Sequence, residues 1–93
     1  MAATGPRDVN QPPEERPLNI RGLLGIGMDG GPKHKRVTRG DNFYLIGGSR
    51  QTHEHMVETA LKFNEKVEER RKPLAEINAR ELTEIARELH EEL

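Results

Sequence analysis

Gly25, Gly27 and Gly30, in the run GIGMDGG, hold the spacing G-x-G-x-x-G. Glycines so placed let a backbone close around phosphate, and the usual setting is a strand before them and a helix start after them. Here Pro32 and a basic stretch follow instead. A hairpin tip over nucleotide phosphates is the other setting, as in kinases, but V-A-I-K, H-R-D and D-F-G are all missing from the chain. The flanks favour a turn at Gly30-Gly31. Gly25 and Gly27 then thin one strand face, so that another backbone or helix can approach closely. Nucleotide or anion binding at these turns stands as the third reading of function.

The second group is basic. Lys33, Lys35, Arg36 and Arg39 fall within PKHKRVTR, and Arg50 follows Gly47-Gly48-Ser49. A ribbon rich in Lys and Arg can track a nucleic-acid backbone. Free N–H groups at a helix start beside an arginine can hold an anion. These five residues are the candidate anion and nucleic-acid contacts. Two features weigh against nucleic acid. Only Phe43, Tyr44 and Phe63 are aromatic, which leaves few platforms for base stacking. The pI near 6.4 is also far from the basic range of such domains. Nucleic-acid binding is therefore the second reading.

No set of residues assembles into a catalytic or metal centre. Ser49 is the one serine, and a helix cap accounts for it. His53 and His55 are two apart on an expected helix, so they point to different faces. Both are expected to be solvated. No H-E-x-x-H occurs, and there is no cysteine for a thiolate site. We expect no enzyme, no cofactor and no bound metal.

The elements that would carry these residues follow from periodicity. In residues 18–28, LNIRGLLGIGM, the even positions are mostly apolar and the odd ones mixed, which is strand spacing. After the DGGPKH turn signal a second run, KRVTRGDNFYLI, covers residues 35–46. Folded back around Gly31 and Pro32, the runs set Leu18 against Leu45, Ile20 against Phe43 and Ile26 against Val37. All three pairs then lie on one face. A long β-hairpin is expected, with a bulge at Gly40 and its apolar face against the helices. Ser49 caps a helix over 50–71, with a stripe of Met56, Val57, Ala60, Leu61, Phe63 and Val67. Pro73 follows its end. Asn78 and Glu81 make a capping box, with Ile77 and Leu82 as a staple, and open a helix over 79–92. Residues 1–17 carry four of the six prolines and few apolar groups, and read as a disordered arm.

The expected fold is α+β, a long β-hairpin followed by a two-helix hairpin (ββαα), in one small domain over 18–93. With 93 residues and 33% of them charged, little apolar surface can be buried. Such a core needs added support, and an open sheet edge invites a second copy. The net charge of −1 is uneven: residues 17–50 hold six basic and two acidic groups, residues 51–93 seven and eleven. The middle segment can steer an acidic partner, or meet the acidic end of its own chain. No apolar run suits a membrane span and no leader is visible, so a cytoplasmic protein is expected. The leading functional reading is a non-enzymatic interaction module, a homodimer or the partner of another protein. Gly25, Gly27, Met56 and Phe63 are its candidate interface.

Overall fold

The computed structural model describes residues 11–31 and 36–93. Three strands, β1 (Leu23–Gly27), β2 (Val37–Arg39) and β3 (Phe43–Gly47), precede two helices, α1 (Arg50–Glu69) and α2 (Ala79–Glu92). The α+β class, a sheet followed by two helices, is as expected.

The strand pairing is not. The sheet order is β1-β3-β2. β1 runs parallel to β3, with Leu24 beside Tyr44 and Ile26 beside Ile46. β2 runs antiparallel to β3, with Val37 beside Ile46 and Arg39 beside Tyr44. The run 35–46 is thus not one strand of a long hairpin. It folds on itself at Gly40, whose N–H donates to the Phe43 carbonyl at 2.9 Å, so Gly40 marks a turn and not a bulge. β3 then lies between β1 and β2, which the expected hairpin set directly side by side. Ile26 and Val37 do share a row, with Ile46 inserted between them. Leu18 and Ile20 lie outside any strand. The Leu18 N–H donates to the Ile77 carbonyl at 2.9 Å, and Ile20 packs against the helical core.

The faces are also reversed. Leu24 and Ile26, expected against the helices, point away from them; Leu23, Gly25 and Gly27 face inward. The reason lies in the glycines. A Cβ on Gly25 would stand 2.7 Å from Leu45 Cδ2 and 3.1 Å from Met56 Sδ. The side chains of β3 and α1 fill the room that glycine leaves, so this face, and not the bulky one, admits the helix.

The helices follow local chemistry closely. The Ser49 hydroxyl accepts from the Thr52 N–H at 3.2 Å and caps α1. Arg70 caps its end, and Arg71 turns out of the helix at φ 56°. Asn78 and Glu81 form the reciprocal capping box at 2.8 and 3.0 Å. Phe63, Val67, Ile77 and Ile85 make the core, flanked by Ile20, Leu23, Leu74, Leu82 and Leu89. Lys66, Arg70 and Lys72 pair with Glu81, Glu84, Glu88 and Glu92 across the outside of the helix pair. These cations belong to the acidic segment itself, residues 51–93, and not to the basic middle segment. Of the segment expected as an arm, residues 1–10 lie outside the described residues. Residues 13–15 form a single 3-10 turn, and Arg80 bonds Glu15 at 2.7 Å.

Candidate interaction surface and the glycine loop

The GIGMDGG run closes on the first turn of α1. Asp29 reaches the first turn of that helix. The Ser49 N–H donates to its Oδ1 at 2.8 Å; the Ser49 and Thr52 hydroxyls donate to its Oδ2 at 3.0 and 2.7 Å. A carboxylate therefore sits where a helix N-terminus would take an external anion. The Thr52 hydroxyl, then the Ser49 backbone N–H, hold its pKa down at about 2. The two glycine segments are in backbone contact to allow this. A Cβ on Gly27 would fall 2.4 Å from Gly48 Cα, and one on Gly30 2.6 Å from the Gly48 oxygen.

This carboxylate makes stability depend on acid. A carboxyl with a lower pKa in the folded chain stabilises above the unfolded value, near 3.8, and loses that effect as pH falls toward 2. Asp29→Asn should lower the melting temperature at neutral pH. The gap from the wild type should stay level above about pH 4 and narrow between there and pH 2. Thermal unfolding followed by circular dichroism across this range checks it; a gap that does not depend on pH would refute the role.

His53 is buried, contrary to the expectation of a solvated helix histidine. Its Nδ1 lies 2.8 Å from the Gly47 carbonyl oxygen and its Nε2 2.7 Å from Thr38 Oγ1. A carbonyl only accepts, so Nδ1 carries the proton and donates. The ring thus ties α1 to β2 and to the end of β3. His55, two residues on, is exposed. Asn42 and Asn64 make a second cross-link, exchanging amide hydrogen bonds at 2.8 and 3.0 Å.

Three of the basic candidates, Arg36, Arg39 and Arg50, fall among the described residues. Lys33 and Lys35 lie outside the described residues. Arg36 donates to the Gly48 carbonyl at 3.3 Å, half-buried. Arg39 stands over the Tyr44 ring, 5.7 Å from its centroid. Arg50 is exposed at the start of α1. The candidate interface residues are taken up mainly within the chain. Phe63 is in the core, Gly27 lies against Gly48, and Gly25 lies against Met56. Gly25, Met56 and Phe63 also line an open apolar cavity of about 410 Å³ beside β1, with Leu23, Leu45 and Ala60.

What remains uncovered is the other face of the sheet. Leu24 is 67% exposed, Ile26 59%, Val37 51% and Tyr44 39%. The strand registers set these four, with Ile46 and Arg39, in two adjacent rows. Met28, just past β1, is 87% exposed. The period-2 alternation of the first strand is visible in the sequence and carries this signal; the glycines on its odd positions show which face a helix can approach. Among the described residues no group of three or more His, Asp or Glu side chains is placed to hold a metal, and no helix is long and apolar enough to cross a membrane. No protein-family model, curated protein or solved structure matches the chain.

Proposed function

We propose that this chain is a small non-enzymatic interaction module, a homo-oligomer or an accessory subunit, and that it works through the open apolar face of its sheet. One observation carries the reading. β1 and β3 form a parallel pair, and parallel pairs are ordinarily covered on both faces. Here α1 covers one face, while Leu24, Ile26, Val37 and Tyr44 leave the other apolar and open. Contiguous exposed apolar patches of this kind mark docking surfaces. The side chains best suited to chemistry are occupied in holding the fold: Ser49 with Asp29, His53 with Thr38 and Gly47. A cytoplasmic location fits a chain without cysteine.

The test compares tagged wild type with the triple variant L24S/I26S/V37T in extract of the source cell. Exposed substitutions usually change stability by less than about 0.5 kcal/mol, so the far-ultraviolet spectrum should be kept. The wild type should migrate in an assembly larger than the chain, and the variant as a monomer. An assembly that the three substitutions leave intact counts against the reading.

A further inference from the structure

Resting on that reading, we infer that the occupant of the open sheet face is a second copy of this chain, packed sheet to sheet about a two-fold axis that runs along β3. Three observations lead there. The first is area. Leu24, Ile26, Met28, Val37 and Tyr44 are between 39% and 87% exposed. With large side chains at roughly 150–250 Å² each, they present about 500 Å² per copy. Two copies together offer about 1,000 Å², before Ile46 and Arg39 are added, which is about what a specific interface must bury. The second is need. Among the described residues the buried apolar ones are Leu45, Ala60, Phe63, Val67, Ile77 and Ile85, a core of the size that association commonly supports.

The third is charge and register. Arg39 is the one charged residue in the two rows, and it lies on the outer strand β2. A two-fold axis along β3 sets each β2 over the partner's β1, so the two Arg39 side chains fall on opposite margins and do not meet. The alternative axis, across the strands, stacks β2 on β2 and puts both like charges on the same margin. In the favoured arrangement Val37 meets the partner's Ile26 and Arg39 lies over the partner's Leu24. Tyr44 and Ile46 meet their own counterparts on the axis. The sheets then stand about 10 Å apart with strands nearly aligned, as in a β-sandwich.

Light scattering and sedimentation of the purified full chain test this. The wild type should show about twice the 10.6 kDa chain mass at micromolar concentrations. Ile26→Lys and Val37→Glu should each halve that mass, with circular dichroism unchanged. Mixing the two variants should restore the dimer, because the lysine introduced at position 26 of one copy faces the glutamate introduced at position 37 of the other. Three results overturn the inference: a wild type that stays monomeric at high micromolar concentration, a dimer that survives both substitutions, or a mixture that stays monomeric. If the purified chain is monomeric while the L24S/I26S/V37T triple still abolishes the larger assembly in extract, the second copy is excluded and the docking face stands.

Discussion

An Ile85→Ala chain should lose most of its folding stability in water at room temperature. Ile85 and Ile77 have no exposed surface, and they pack on Phe63 and Val67 where α1, α2 and the segment before α2 meet. Truncating a buried isoleucine costs about 2–5 kcal/mol, the loss of transfer energy plus the cavity left behind. The better helix propensity of alanine returns only a few tenths of that. A core this small supplies about 3–5 kcal/mol in all, so one such truncation consumes most of it. Leu61→Ala is the matched control, because Leu61 is half exposed on α1 and should cost well under 1 kcal/mol. Urea titration at one fixed chain concentration makes the comparison, since dimerisation adds to apparent stability by mass action. Equal midpoints for the two variants would mean that the core lies elsewhere.

The helices were legible because their ends are set by contacts three or four residues apart. Ser49 reaches the N–H of Thr52, and Asn78 and Glu81 bond each other, so the relevant partners can be read directly along the chain. Strand pairing has no such local record. The pairs Leu18–Leu45, Ile20–Phe43 and Ile26–Val37 agreed in parity, but parity tests only the face and not the neighbour. An apolar β3 slipped between Ile26 and Val37 satisfies the same pattern.

The site was less legible for the same reason. Nothing near Asp29 announces that Ser49 and Thr52, twenty and twenty-three residues on, will be its partners. His53 did carry a signal. It shares the helical face of Ala60, Phe63 and Val67, which makes it a buried residue in need of two hydrogen bonds. The reversed sheet face was written in the glycines. A strand with leucine and isoleucine on one side and Gly25 and Gly27 on the other offers a helix its flat side when that helix brings its own bulk, here Met56. The bulky side is then left for something outside the fold.

Within GIGMDGG the glycines should differ sharply on replacement by alanine, and Gly27→Ala should be the most damaging. Every near neighbour of its added Cβ is backbone: Gly48 Cα at 2.4 Å, Gly48 N at 2.7 Å and Gly47 C at 3.0 Å. No side chain is there to swing aside. The opposing segment has little freedom, because Gly47 and Gly48 are held at φ 78° and 85°. Relief requires β1 to part from the loop before α1, which also draws Asp29 off the first turn of that helix. Overpacking of this kind costs about 3 kcal/mol, comparable with the whole stability expected of such a core. Gly25→Ala meets only the ends of Leu45 and Met56, which can shift, and should cost about 1 kcal/mol. Gly31→Ala meets nothing within 4 Å among the described residues and should be neutral or stabilising by a few tenths of a kcal/mol, through the unfolded chain. Melting curves of the three variants should therefore rank Gly31, Gly25, Gly27 from mildest to most severe. A phosphate-cradling loop would give a different order. Its glycines serve a ligand, so each alanine would weaken the melting shift produced by added nucleotide and leave the unliganded chain almost unchanged.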